Sequence, residues 1–158
     1  MFAQARAVTY ATLFIGVLLV FVPRRILAWT GVDGPTGGGA SELAGIAVCV
    51  VGGALALWCI LAFAFVGNGT PAPFDPPRSL VVRGPYRFVR NPMYLGAVLV
   101  LSGAALVYHS LALLGYAAGF LIATYVFVVA YEEPTLGQLF GDDYRAYRAR
   151  VRRWWPRA

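Results

Sequence analysis

The sequence predicts an all-α fold: an integral membrane bundle of four transmembrane helices with a cytoplasmic C-terminal amphipathic helix, all of residues 1–158 forming one domain. Three observations point there. Of the 158 residues, 59% are hydrophobic and 13% charged, against about 25% charged in ordinary globular domains. A sphere of this length cannot hide so much apolar surface, so the remainder faces lipid, as the mean hydropathy of +0.68 also implies. The apolar residues form four runs, each near the ~20 residues that cross a hydrocarbon core. The cations, all of them arginine, lie almost entirely on one side of those runs.

The first run, Ala7 to Val22, is closed by Pro23-Arg24-Arg25, so a span is expected over about 7–22. No small-x-small cleavage site follows it and further spans do, so it reads as a retained helix, not a signal peptide. Gly31 to Gly39 lacks the Gly-Lys-Ser/Thr ending of a phosphate loop and reads as a flexible connector. The second run, Leu43 to Val66, carries no charge. Its Cys49 and Cys59 lie about 15 Å apart along a helix, too far for a disulfide, and without clustered histidines they form no metal site.

A loop over 67–91 follows. Pro71, Pro73, Pro76 and Pro77 deny it helix over Asn68 to Arg78, and Gly84-Pro85 marks a turn. Asn91-Pro92 is a helix start, Asn as N-cap and Pro at N1, opening the third span over 92–108. His109, the single histidine, sits in the short turn before the fourth span, 111–131. Gly115-x-x-x-Gly119 is a small-residue face expected to pack against the third span. The fourth span ends in Tyr131-Glu132-Glu133-Pro134, where paired carboxylates at a helix C-terminus oppose the dipole and call for arginine partners or a cationic ligand. From Thr135 the tail reads as a basic amphipathic helix, with Leu136, Leu139, Phe140, Tyr144, Tyr147 and Val151 on one face and Arg145, Arg148 and Arg152 opposite.

Arginine placement sets the orientation. Arg6, the four arginines Arg78, Arg83, Arg87 and Arg90, and six in the tail from Arg145 to Arg157 share one side, against Arg24 and Arg25 on the other. By the positive-inside rule both termini are cytoplasmic, and a multi-pass protein of a bacterial inner (plasma) membrane is expected. The Arg-rich tail would also meet anionic lipid head groups. No acidic or basic side chain lies centrally in a span, which disfavours pumps and channels. No strand precedes a GxGxxG, so a Rossmann site is absent, and there is no aromatic-basic ribbon for a nucleic acid. The polar chemistry is therefore confined to the 67–91 loop and the tail from Glu132. The N-terminus of the third span, with Arg87 and Arg90 beside it, favours an anionic group such as a carboxylate.

These residues carry a resemblance. The stretch Arg83 to Gly96, RGPYRFVRNPMYLG, followed by Glu132-Glu133, Leu136, Phe140-Gly141, Tyr144, Tyr147 and Val151, resembles the isoprenylcysteine carboxyl methyltransferase family, which is related to the membrane phospholipid N-methyltransferases. The likeness covers residues 78 to 157. It implies S-adenosylmethionine as cofactor, bound at the cytoplasmic ends of the last two spans under the C-terminal segment. It also implies cofactor contacts from Arg78, Ser79, Leu80, Val81, Tyr86, Asn91, Pro92, Met93, Tyr94 and Glu132. A lipidic or prenylated small acceptor would enter between helices. Asn91 stands where many members have His, and Val128 where prenylcysteine-methylating members carry an Arg for the substrate carboxylate.

Methyl transfer from a sulfonium expels a neutral thioether and needs no general acid, so holding the reactants in line provides most of the acceleration. In this reading Arg87 or Arg90 holds the methionyl carboxylate, and Glu132 takes the ammonium or the ribose hydroxyls. Tyr86 and Tyr94 pack near adenine or sulfonium, and Glu133 acts as base for an amine acceptor. Glu133 and Arg90 are thus the candidate catalytic residues; no metal is expected. Carboxylate, amine and thiol acceptors stay open. Two other readings are an NADPH-dependent sterol-reductase-like membrane oxidoreductase and a non-catalytic membrane protein that binds anionic lipid.

Overall fold

In the computed structural model, which describes residues 15–32, 34–35, 37–63 and 79–156, every regular element is helical. Arg78 and Arg157, the start of the first expected span and the proline-rich loop up to Arg78 lie outside the described residues. A π-helical segment, Ile15–Phe21, runs directly into α1, Val22–Thr30. The helix therefore does not stop at Pro23-Arg24-Arg25 as expected from the sequence. Pro23 stands where the π-helical segment passes into α1, a junction whose hydrogen-bond ladder is already irregular, so its missing N–H does not end the helix. Gly31, at φ 68°, ends the helix, with its N–H bonded to the Leu27 carbonyl.

The glycine-rich stretch is pinned as well as turned. Gly37 and Gly38 adopt φ of 90° and 89°, and their amides donate to Glu42 Oε1 at 2.9 Å and Oε2 at 2.6 Å. Glu42 lies in the first turn of α2, Ala40–Ala62, where the helix dipole also favours an anion. α2 is long and apolar enough to cross a membrane; so is the continuous helix that begins at Leu111. The helix between them, α3 (Pro92–Val107), is apolar but shorter.

α2 and α3 meet backbone to backbone. A Cβ built on Gly45 would lie 2.7 Å from the Gly103 carbonyl oxygen, and one on Gly52 the same distance from that of Gly96. From the other side, a Cβ on Gly103 would lie 2.6 Å from the Gly45 oxygen and from Cys49 Sγ. Two glycine pairs in opposite order thus make the helices antiparallel and admit no side chain at the seam. Both cysteines are free, and Cys59 is fully buried.

The Gly115–Gly119 face, expected to pack on the third span, does not. Nothing among the described residues comes within 4 Å of a Cβ at either position. α4, Leu111–Phe127, instead turns Leu113, Ala117 and Phe120 inward against Ala97, Leu101 and Ala105 of α3. Because α3 keeps its glycines for α2, its alanine and leucine positions meet α4, and the α4 glycines fall on the far side of that helix.

At one end of the bundle Leu27 packs with Ala105 and Leu113, Ser110 caps α4 through Leu113 N, and His109, at φ 49°, lies 3.2 Å from Ser41. The opposite end gathers the polar chemistry. There α4 does not stop at Glu132-Glu133: it passes through a π-helical segment, Val128–Glu132, into α5, Glu133–Arg150. The carboxylates therefore sit at a continuous helix junction, with Glu133 in a first turn, not at a C-terminus. The expected amphipathic face is broken at Gly141 (φ 48°, ψ −118°). Tyr144 and Tyr147 are buried beyond this bend while Leu139 is exposed before it.

Gly103→Val should lower stability by about 2–3 kcal/mol or prevent folding, because a side chain there overpacks a backbone contact. Gly115→Val should change it by less than ~1 kcal/mol. Thermal unfolding of both variants in the same detergent decides.

Candidate functional site

The polar end is assembled from three stretches of chain. The first joins α2 to α3. Val81 and Tyr86 bury against Cys59, with Phe63 and Met93 completing the cluster; the Tyr86 and Phe63 rings meet edge to face at 5.3 Å. Gly84, at φ 60°, starts a 3-10 turn, Gly84–Arg87, and passes close to Trp58, so this turn needs glycine for conformation and for space. The second stretch is the helix junction Val128–Glu133, and the third is the tail after Arg150.

The tail folds back onto the first stretch. Val89 and Arg152 form a parallel bridge, an isolated one among the described residues. Arg90 N donates to the Arg152 carbonyl at 2.9 Å and Asn91 N to that of Arg153 at 3.3 Å. Tyr147 Oη donates to the Tyr86 carbonyl at 2.6 Å. Asn91 and Pro92 do open α3 as N-cap and N1, but Asn91 makes no side-chain cap. Its amide Nδ2 is directed instead to the Arg153 carbonyl at 3.4 Å, because the tail occupies the space beside it.

The adjacent glutamates have opposite surroundings. Glu133, whose side chain is 8% exposed, accepts from Arg90 Nη1 at 2.7 Å, from Arg153 Nε at 2.7 Å and from Arg153 Nη2 at 2.9 Å. Arg148 Nη2 lies 3.7 Å away. Burial would raise this carboxyl, but the Arg153 hydrogen bonds and the charges of Arg90, Arg153 and Arg148 hold it below the ordinary carboxylate range. Arg153 is correspondingly raised by the same bond. Glu132, just past the apolar run 111–131, accepts a hydrogen bond from Tyr94 Oη at 3.0 Å and meets no arginine among the described residues. Burial lifts it above the ordinary range; the Tyr94 bond lowers it in part, and the charge of Glu133 adds to the rise.

The structure thus brings Tyr94 to Glu132 and Arg90 to Glu133, and gathers Val81, Tyr86 and Met93 in one cluster. Asn91 and Pro92 are buried beside the tail, Leu80 is half-buried, and Ser79 and Arg87 are exposed, the Arg87 guanidinium lying over Phe88. Arg153 and Trp154 were not among the sequence candidates, although both belong to this end. Trp154 stacks on Tyr125 at 6.4 Å, and the Arg153 guanidinium lies 5.8 Å from the same ring. The run Arg152-Arg153-Trp154-Trp155 was the available signal, but it reads equally well as a membrane-surface anchor.

The geometry is that of an all-helical protein with two helices long and apolar enough to cross a membrane and, at one end, a pair of adjacent glutamates in unlike surroundings. The family model described as phospholipid methyltransferase matches residues 41–143, which include both glutamates and the whole first stretch. The chain belongs to that family, as the motifs around Arg83–Gly96 and Glu132–Glu133 led one to expect. It is 42% identical over 72 residues to methanethiol S-methyltransferase 1 of Bradyrhizobium diazoefficiens, a match covering 42% of this chain and 22% of that protein. An uncharacterized protein of Haemophilus influenzae is 43% identical over 63 residues, 39% of this chain and 98% of its own length. The chain therefore spans less than a quarter of the length of the first relative. No solved structure matches.

Glu133→Ala should cost about 3–5 kcal/mol, since it leaves buried guanidinium charge uncompensated. Because the folded carboxyl is lowered, its contribution is present above the unfolded value and is lost as pH falls through the folded one. Thermal unfolding from pH 7 down to pH 3 should show an acid loss in the parent that is reduced in the variant.

Proposed function

We propose that this chain is an integral membrane S-adenosylmethionine-dependent methyltransferase of the isoprenylcysteine carboxyl methyltransferase type, acting on a lipidic or small apolar acceptor at the cytoplasmic face. The observation that carries this reading is Glu132: a half-buried carboxylate beside a glutamate that already holds three arginines, itself bonded to Tyr94 alone among the described residues. Partial loss of water makes an anion without a described counter-ion costly, and a cationic ligand offsets that cost. Four spans with both termini cytoplasmic are the topology that the arginine placement supports.

The residues fit the cofactor's charge pattern. Glu132 would hold the ammonium or the ribose hydroxyls. Among the described residues Arg90 Nε is buried without a hydrogen-bond partner beside the N-terminus of α3, a donor suited to a carboxylate. Tyr94 and Tyr86 provide aromatic walls. When bound, S-adenosylmethionine supplies an activated methyl group on a sulfonium. The protein's part is to bind, orient and keep water out. Glu133, with its lowered carboxyl and arginine partners, is suited to hold the site together more than to act as a base. Val128, buried one turn before Glu132, presents no charge to an acceptor carboxylate. That favours uncharged acceptors, in line with the methanethiol named for one relative.

Calorimetry of the purified protein with S-adenosylmethionine and with NADPH tests the reading. Binding of the first alone supports it. Binding of NADPH alone would point to the reductase, and binding of neither to a lipid-binding protein. Glu132→Gln should weaken S-adenosylmethionine binding by about ten- to a hundredfold, the worth of one charge-assisted bond, with unchanged helicity. Unchanged affinity would remove Glu132 from the site.

A further inference from the structure

We propose that Arg153 is a positioning residue for the Glu132 site: by gripping Glu133 it fixes the helix junction that carries Glu132. The inference rests on the reading that Glu132 holds the cofactor.

Arg153 touches every part of this end of the molecule. Its guanidinium makes a two-pronged bond to Glu133, Nε to Oε1 at 2.7 Å and Nη2 to Oε2 at 2.9 Å, the fork geometry that only arginine provides. Its carbonyl accepts from Asn91 N, the residue that opens α3. Its charge lies over Tyr125, two turns before Glu132 on α4. The following residue, Trp154, stacks on that same tyrosine. The junction it braces is π-helical, Val128–Glu132, with a wider and less regular hydrogen-bond ladder than an α-helix. Such a segment does not by itself set where a side chain points, and Glu132 is its last residue.

Two bonds thus define the Glu132 side chain's place: Tyr94 holds the carboxylate directly, and Arg153 holds the next residue. Arg90 and Arg148 also face Glu133, but Arg90 makes one bond and Arg148 stands at 3.7 Å on an exposed side chain. Neither supplies the fork. Losing Arg153 leaves Glu133 held by the single Arg90 bond, which does not fix its orientation as the fork does, and Glu132 shifts with it.

The test compares Arg153→Ala, Arg153→Lys and Arg153→Gln with the parent, all as full chains in detergent. S-adenosylmethionine affinity should fall about tenfold in Arg153→Ala, with Arg153→Lys between that and the parent, because lysine restores charge without the fork. A second readout separates positioning from bulk stability. The groups facing Glu133 are Arg90 from the segment before α3, Arg148 and Tyr144 from α5, Arg153 from the tail, and neighbouring Glu132. Removing Arg153 removes one of the cations that hold Glu133 low, so the acid limb of cofactor binding should move to higher pH in Arg153→Ala and Arg153→Gln and less in Arg153→Lys. A purely structural arginine would change the unfolding temperature and leave that limb in place. If the parent binds S-adenosylmethionine and Glu132→Gln does not, but folded Arg153→Ala binds as tightly with the same acid limb, this proposal falls and the functional reading stands. If the parent does not bind, both fall. Should Arg153→Ala fail to fold, the Lys and Gln variants decide by the same two readouts.

Discussion

A carboxylate that is almost fully removed from water must be neutralised where it stands, and most of the polar end of this protein follows from how Glu133 meets that demand. Its counter-ions come from three places in the chain: Arg90 before α3, Arg148 on α5 and Arg153 in the tail. Each was brought in by a different part of the fold, so the ion cluster joins segments that are far apart in sequence. The tail can reach because Gly141 bends α5 and because its backbone finds partners on Arg90 and Asn91. A helix N-terminus, a helix junction and a chain terminus are thereby held against one another.

The same cluster explains why two neighbouring glutamates differ so much. The arginines at this end are engaged by Glu133, and Glu132 is left half-buried with a tyrosine hydroxyl as its one described hydrogen-bond partner. Pairs of acidic groups whose surroundings push them apart in acidity mark functional sites more often than structural ones. Here one carboxylate fastens three segments of the chain together, and the other has no described cation beside it.

Away from this end, the constraint is backbone proximity. In lipid, helices gain little from hiding apolar groups from one another, and close contact must supply the attraction. Gly45, Gly52, Gly96 and Gly103 allow α2 and α3 to touch carbonyl to Cα, and the rest of α3 is then turned toward α4 through Ala97, Leu101 and Ala105. This division of α3 into two faces leaves Gly115 and Gly119 with no described neighbour, although their spacing looked like a packing motif. In the sequence a glycine stripe shows which residues could approach closely and not which partner they approach.

Composition and pattern alone determined the all-helical class, the apolar runs, the turn at His109, the start of α3 at Pro92 and the family, because each depends on residues near in sequence: hydrophobic length, proline and glycine chemistry, and short motifs. The pairing of Arg90 with Glu133 was legible as a need, since two carboxylates in an apolar setting require cations. Tertiary structure decided which cations answered and which glutamate they chose. It also decided that the first helix runs past Pro23, that α4 continues through Glu132 into α5, and that Arg153 binds Glu133. These outcomes turn on contacts between residues far apart in sequence, such as Asn91 with Arg153, 62 positions on. No local preference encodes them: a buried charge is satisfied by whatever partner the packed helices bring within reach.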